Sequence, residues 1–533
     1  MYHDKKNYTA PENYNITQEI EKHASDKLAL IYQNELGVTD KITYNQLIQR
    51  SNKLANGLNH IGLQKGDRVL VGTPRLIDTY IIYLGCLKAG LVIIPSSELL
   101  RAKDIAYRLN HSEAKAVISY TDFTKEIEAI EEELPHLDHK IAFGGVHTGW
   151  RDLNEIMDSA SEEFTGHVTT RDDLAFLAYT SGTTGNPKGV AHTHSWGYAH
   201  IRIAAKEWLN IREEDIVWAT AAPGWQKWVW TPFLSVLGSG ATGFCYQGRF
   251  SPEKYLELLQ EQKVNVLCCT PTEYRMIAKM EGLNTYELSS LRSAVSAGEA
   301  LNREVIDVFK NTFNIQIRNG YGQTESTLLI GTLLNDEHRP GSMGKPIITG
   351  TVEIVNEDGV QVGAGEIGNI AIHKELPALF NMYYKDPDKT NRSYRGDYFI
   401  TGDRARKDEE GFYWFHGRSD DVIISSGYTI GPFEIEDALM KHPAVLECAA
   451  VASPDDIRGN VVKAFIVLQK GVEESAELIK ELQNFVKQIT APYKYPRIIE
   501  FVEHLPKTDS GKIRRVVLRD RENGISLKDK ANI

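Results

Sequence analysis

The sequence predicts an α/β protein of more than one unit. A large N-terminal part of layered α/β subdomains carries a small β-barrel-like subdomain, and a smaller α+β part follows. Three observations lead there. The chain has 533 residues, well beyond the roughly 150 of a typical domain. Amphipathic stretches alternate with short β-branched runs, the mark of parallel strands covered by helices. Past residue 347 the helices give way to turn-punctuated strands.

In order along the chain, LIQRSNKLANGLNHI reads as a helix, and DRVLVG, LVIIP and AKAVIS read as strands. The apolar run from Tyr80 to Pro95 contains Lys88 and Gly90. It falls short of the ~20 apolar residues of a spanning helix and predicts a core helix feeding a buried strand. DIVWATA, ATGFCYQ and VNVLCCTP continue the α/β pattern after Val190. From Ile347 to Tyr413, VEIVNEDGVQVG and GEIGNIAIH predict antiparallel or barrel-like strands. After Arg418 come a helix (FEIEDALMKHP), two strands (AVLECAAVAS, VVKAFIVL), an acidic-start helix and a basic tail, a unit of about 110 residues.

Apolar residues make up 42% and charged residues 25% of the chain, enough for a large core and against wholesale disorder. A formal charge of −12 disfavours general nucleic-acid binding, which asks for a basic face. The five cysteines form no CxxC pair, and the N-terminus has no apolar stretch suited to export, so a cytoplasmic setting is expected.

The strongest local signal is Tyr179-Thr-Ser-Gly-Thr-Thr-Gly-Asn-Pro-Lys-Gly189, between the apolar runs LAFLA and VAH. Glycine N–H groups approach a phosphate closely and the hydroxyls donate to it. It is not a Walker A loop, because Pro187 stands where that pattern needs glycine before its lysine. Gly238-Ser-Gly240-Ala-Thr-Gly243 matches the dinucleotide fingerprint by letter, yet it follows a helix and precedes a strand, the reverse of what that motif needs. His192 and His194 share one strand face, but no third ligand lies nearby, which favours packed histidines over a metal site.

The 179–189 loop resembles the signature of the adenylate-forming superfamily, which includes acyl-CoA synthetases, adenylation domains of peptide synthetases and luciferases. Further stretches arrive in the order of that family: Ala297-Gly-Glu-Ala300, Asn319-Gly-Tyr-Gly-Gln-Thr-Glu325, Tyr398-Phe-Ile-Thr-Gly-Asp403, Gly417-Arg-Ser-Asp-Asp421 and Pro506-Lys-Thr-Asp-Ser-Gly-Lys512. Thr490-Ala-Pro-Tyr-Lys-Tyr-Pro-Arg497, Ser425-Ser-Gly-Tyr428 and Gly431-Pro432 resemble the medium-chain acyl-CoA synthetase branch.

The resemblance implies ATP-dependent conversion of a short- to medium-chain carboxylic acid, branched ones included, to acyl-AMP and then to acyl-CoA. AMP and pyrophosphate are the other products. It places Thr180, Ser181, Gly182, Thr183, Thr184, Gly185, Asn186, Pro187 and Lys188 on the β- and γ-phosphates. Gly298, Glu299 and Ala300 with Asn319, Gly320, Tyr321, Gly322 and Gln323 frame the nucleotide, and Thr324 contacts the α-phosphate. Glu325 is implied as a Mg²⁺ ligand, and Asp403 and Arg418 as the ribose contacts. Lys512 is implied as the catalytic lysine on a C-terminal domain spanning residues 420–533, which moves about a hinge at Asp420 against the domain of residues 1–419.

Ser426, Gly427 and Tyr428 are implied to line the pantetheine tunnel, with Arg458 and Lys487 as cations for CoA. Trp225, Gly298 and Gly322 are implied to frame the acyl pocket. Acetate-specific relatives carry a bulky aromatic at the Gly322 position, so glycine predicts room for a longer acid, at ~0.8 kcal/mol per buried CH₂. The Trp225, Trp228 and Trp230 cluster is equally consistent with plain core.

Thr429 stands where the family carries Arg, Ala222 where Asp is usual and Ile424 where a polar residue is common. The missing Arg removes a phosphate contact worth about 1–3 kcal/mol. The exposed-looking Lys512 predicts a lysine acetyltransferase and deacetylase as partners, since acylation would remove its charge. Competing readings are an acetyl- or propionyl-CoA synthetase, an aryl-acid ligase, an adenylation module loading a carrier protein and a catalytically dead binding homologue. No carrier-type serine motif follows the tail, and Lys512, Asp403 and Glu325 are all present.

Overall fold

The structure, a computed structural model, describes residues 5–164, 169–180, 187–298, 301, 303–419, 421–425, 428–455, 459–490, 492–507 and 512–524. Two large β-sheets form its frame. In one, Arg68–Gly72 runs parallel to Val92–Ser96 and Ala116–Tyr120, with His139–Phe143 beyond. Every residue of Val92–Ser96 is buried, which accounts for its unbroken apolar run, because a parallel strand is covered on both faces. The helix Ile77–Lys88 feeds it, and Asp78 is its one residue that is not buried. Lys88 is tolerated there because its ammonium meets Glu21 at 2.6 Å. On the far side of Val92–Ser96, Leu174–Thr180 turns back antiparallel into Lys188–Thr193, so the hydroxyl-rich loop joins two strands.

In the other sheet Thr242–Gln247, Ile216–Ala219, Val266–Cys269, Ser293–Ala297 and Ile317–Gly322 lie parallel and side by side. Leu28–Asn34 extends it beyond Thr242–Gln247. Parallel strands deliver their carboxyl ends to one edge, where open α/β sheets bind ligands. Ala297 is in register with Gly320, so Gly298 and the strand end at 320–322 emerge together. The dinucleotide-like glycines are structural: a helix ends at Gly238, Gly240 turns with φ +72°, and the strand begins at Thr242.

Helices retreat between residues 352 and 418, where Val352–Val355, Ile367–His373, Tyr398–Lys407 and Tyr413–Arg418 pair antiparallel. Further on, Val445–Asp455, Gly459–Leu468 and Ile498–Phe501 form a three-stranded sheet. The helices Pro432–Met440 and Ala476–Ile489 close a core of their own on it, with Ile435, Leu439, Val462, Ile466, Leu482 and Val486 at its heart. The expected basic tail is partly a helix, Arg515–Glu522, because Leu518 buries against Val451, Phe465 and Leu505 while Arg515 pairs with the buried Glu436 and the exposed Arg521 with Glu500. Among the described residues no helix is long and apolar enough to cross a membrane. All five cysteines are free and buried.

Candidate active site

The segment after Ile317–Gly322 is held from behind by histidines. His192 Nε2 lies 2.7 Å from the Thr324 carbonyl, His200 Nδ1 lies 2.7 Å from Thr327 Oγ1, and the Trp196 indole donates to the Ser326 carbonyl at 2.8 Å. Burial keeps both rings neutral, pushing His192 down to about 3 and His200 to about 4. His194 is pushed to about 4 and accepts from the Ile16 amide. The packing expected of His192 and His194 is observed: His192, with His200, locks the backbone that presents Thr324 and Glu325, while His194, at the start of a helix, ties down Ile16 instead.

Glu325 is buried, and its Oε1 accepts from the Tyr383 hydroxyl at 2.9 Å and lies 3.5 Å from Lys188 Nζ. Lys188 begins the strand after the loop and holds its ammonium 5.1 Å from the Tyr383 ring centroid. Tyr107 donates to the Pro187 carbonyl at 3.1 Å, fixing the loop's exit. At its entry, Thr180 Oγ1 is buried with no hydrogen-bond partner among the described residues.

The antiparallel register sets Asp403 opposite Arg418, and Arg418 Nη1 lies 3.9 Å from Asp403 Oδ1. The other oxygen, Oδ2, accepts from the Tyr321 hydroxyl at 2.6 Å and from the Gln323 amide. Burial pushes the Asp403 carboxyl above its usual range, while Arg418, Tyr321 and Gln323 pull it back. Burial and the adjoining carboxylate push the Tyr321 phenol up, so it stays a donor.

Lys512 reaches this cluster from the C-terminal part of the chain. A Cβ built on Gly298 would lie 3.7 Å from Lys512 Cε and 3.9 Å from its Nζ. Lys227 Nζ is also 3.9 Å from that point and donates to the Ala297 carbonyl at 2.6 Å. Gly298 has φ +109°, a region that favours glycine. Asn319 Oδ1 is buried and unpartnered among the described residues, and the Asn319 carbonyl accepts from the Trp208 indole at 3.1 Å.

At Gly322 the expectation needs correction. A Cβ there would lie 2.2 Å from the Thr327 carbonyl oxygen and 2.9 Å from its carbon, so the close approach of two backbones demands the glycine. Its lack of a side chain is thus no measure of acyl-pocket room. Trp228 is core, ringed by Tyr80, Tyr83 and Phe233 with centroids 4.7 to 5.7 Å away. Trp225 is half-buried at the head of the short helix Gln226–Trp228, and Trp230 packs on His200. Lys487, on Ala476–Ile489, stands 4.0 Å from the Tyr495 ring centroid. Tyr428 begins the strand Tyr428–Ile430, in which Thr429 faces Ile424, and Ile424 is exposed. Ser181, Gly182, Thr183, Thr184, Gly185, Asn186, Glu299, Ala300, Asp420, Ser426, Gly427 and Arg458 lie outside the described residues.

Cations and hydrogen-bond donors thus gather where the strand ends meet, with Lys512 brought in from another part of the chain. The description "AMP-binding enzyme" matches residues 16–384, and "AMP-binding enzyme C-terminal domain" matches residues 434–512. The chain belongs to the AMP-binding enzyme family. An uncharacterised acyl–CoA ligase of Bacillus subtilis (strain 168) is 57% identical over 527 residues, covering 98% of both chains. The mouse mitochondrial acyl-coenzyme A synthetase ACSM3 is 41% identical over 488 residues, covering 90% of this chain and 84% of its own. The crystal structure of an anthranilate CoA ligase with anthranoyl-AMP superposes with a TM-score of 0.90 at 30% identity, covering 96% and 98% of the two chains.

This AMP-binding enzyme is an acid–thiol ligase, an AMP-forming acyl-CoA synthetase. Three residues at the cluster escaped the sequence reading, Lys227, His200 and Tyr383, and the contact made by a fourth, His192, was not foreseen. His192 was visible as a strand histidine, but its partner lies 132 residues away, and no spacing rule joins them. Lys227 follows Trp225 by two positions, and nothing local separates it from a surface lysine.

Proposed function

We propose that this acyl-CoA synthetase activates short- to medium-chain carboxylic acids, branched ones included, and passes the acyl group from AMP to CoA. The observation that carries the reading is the seat of Lys512 against Gly298, beside the end of the strand that leads to Thr324. In the first half-reaction the carboxylate attacks the α-phosphorus, pyrophosphate leaves, and negative charge gathers on phosphate oxygens. Positioned cations stabilise that charge in advance. Lys512 and Lys227 hold their ammonium groups equally close to Gly298, Lys512 being the one delivered from the C-terminal part of the chain, and Lys188 serves the departing phosphates. Asp403 and Arg418 hold the ribose, with Tyr321 and Gln323 fixing the Asp403 carboxylate.

Glu325 suits Mg²⁺. It is a hard oxygen donor with one oxygen already anchored by Tyr383, and that ion prefers one or two carboxylates together with substrate phosphates. The ion would neutralise phosphate charge.

In the second half-reaction the CoA thiol displaces AMP, with Ser426, Gly427, Tyr428, Arg458 and Lys487 assigned to CoA and movement about Asp420 exchanging the two arrangements. Acetylation of Lys512, which is exposed, by a lysine acetyltransferase would silence the first half alone, and a deacetylase would restore it.

A panel of straight, branched and aromatic acids from C2 to C12, offered with ATP, Mg²⁺ and CoA and read by pyrophosphate release and thioester yield, tests the proposal. Highest kcat/KM among C4 to C8 aliphatic acids is expected. A preference for acetate or for benzoate-type acids would overturn the substrate class, and absence of acid-dependent pyrophosphate release would overturn the activity.

A further inference from the structure

The phosphate end of the site holds more positive charge than the signature loop supplies. Lys389 lies on the short helix Pro387–Arg392. Its ammonium is 5.8 Å from the centroid of the Tyr383 ring, the ring that Lys188 approaches to 5.1 Å. The hydroxyl of that ring donates to Glu325 at 2.9 Å, and the same Glu325 oxygen is 3.5 Å from Lys188 Nζ. Glu325 thus faces both ammonium groups, while Lys389 is in addition drawn by Asp386 and repelled by Lys188 and Arg392. No salt bridge joins Lys389 to a carboxylate among the described residues. Asp386, at the head of its helix, directs Oδ1 to the Lys389 backbone amide at 2.9 Å.

Two like charges brought to one ring repel, and a fold tolerates that where an anion comes to lie between them. We propose that Lys389 is a polyphosphate-binding residue: together with Lys188 it brackets Tyr383 and Glu325 and holds the β- and γ-phosphates of ATP, and afterwards the pyrophosphate they become. The proposal rests on the adenylation reading above and assigns that site a residue outside its signature motifs. Burial and the charge of Lys188 both push the Lys389 ammonium below its usual range, and a bound polyanion would act in the opposite direction and restore it. Lys389 lies 201 positions after Lys188, so the pair is assembled only by the packing of Met382–Tyr383 on Lys188–Thr193.

Binding to the full-length enzyme tests this. Calorimetric titrations with magnesium pyrophosphate and, separately, with AMP are made on the wild type, Lys389→Met and Lys389→Arg. Lys389→Met is expected to weaken pyrophosphate binding about tenfold, or about 1.4 kcal/mol. AMP affinity should stay within about twofold of the wild type, and Lys389→Arg should recover most of the loss, since guanidinium also serves phosphate. The KM for ATP should rise in step while the KM for the acid holds. Equal weakening of AMP and pyrophosphate, or unchanged pyrophosphate affinity with a lowered unfolding temperature, would overturn the proposal and leave Lys389 as a structural brace for Tyr383. A wild type that binds both ligands yet forms acyl-AMP from no acid would refute the adenylation reading instead, and the binding comparison would still judge Lys389.

Discussion

Replacing Lys512 with alanine should damage one half-reaction and spare the other. The lysine's Nζ lies 3.9 Å from the point a Cβ would occupy on Gly298, so a group seated there stands about one contact from a full positive charge. Unit charges about 4 Å apart attract by roughly 4 kcal/mol at an effective dielectric constant of ~20, and by roughly 1 kcal/mol in open water. Lys512 is exposed, so the first figure is an upper bound reached when substrates exclude water, and the second is a lower bound. At ~1.4 kcal/mol per decade the loss in acyl-AMP formation should fall between about fivefold and about a thousandfold.

Acid-dependent exchange of pyrophosphate into ATP reads that half-reaction. Thioester formation from supplied acyl-AMP and CoA reads the other, and should change by no more than about threefold. Equal losses in both would refute the assignment. So would intact exchange in Lys512→Ala alongside collapse in Lys227→Ala, because the second ammonium at the same point would then be the one that works.

Three further outcomes are expected. Gly322→Ala should lower the unfolding temperature, because overpacking against backbone costs about 1–3 kcal/mol; an unchanged unfolding temperature with a shifted chain-length preference would show that the position lines the acyl pocket after all. Tyr321→Phe removes the 2.6 Å bond to Asp403, a hydrogen bond to a charged group worth about 1.5–3 kcal/mol. It should raise the KM for ATP by about tenfold or more while the KM for the acid holds, and a matching rise for the acid would argue against the ribose role. His192, His194 and His200 ionise near 6.5 when unfolded but only at about 3, 4 and 4 when folded. The unfolded chain thus binds protons that the folded one refuses. Stability should be full above pH 6.5 and fall between pH 6.5 and 4, and a flat unfolding temperature across that window would disprove it.

What the sequence made legible was local in origin. The loop after Leu174–Thr180, the buried strand after Ile77–Lys88 and the reversed glycine fingerprint at 238–243 each followed from neighbours along the chain. Asp403 and Arg418 were named from motifs, yet their face-to-face placement needed the hairpin register, with its irregularity between Arg404 and Ala405. Gly322 shows the limit most clearly. Its motif explained the glycine by what is absent from the pocket, whereas the structure explains it by a carbonyl 2.2 Å from where a side chain would begin. Contacts such as His192 with Thr324, or the approach of Lys188 to Tyr383 and Lys389, depend on which strands come to lie beside each other, and no short window of sequence contains both sides.

The placement of charge ties these pieces together. The chain as a whole carries −12, a balance that repels polyanions at long range. At the site, however, Lys188, Lys389, Lys227, Lys512 and Arg418 stand against the carboxylates of Glu325 and Asp403. Those two acids are committed: Glu325 to Tyr383 and Lys188, Asp403 to Tyr321, Gln323 and Arg418. The positive surplus is therefore local, and screening over about 8 Å at physiological ionic strength confines the acidic surface to a weak influence on it. A polyanionic nucleotide at the proposed site would be held by short-range contacts that an excess of surface acid cannot cancel. Because Lys512 alone of these cations comes from the C-terminal part of the chain, its withdrawal would lower the surplus at the moment pyrophosphate has to leave. Under the proposed hinge movement, release of the first product and opening of the site for CoA would be the same movement.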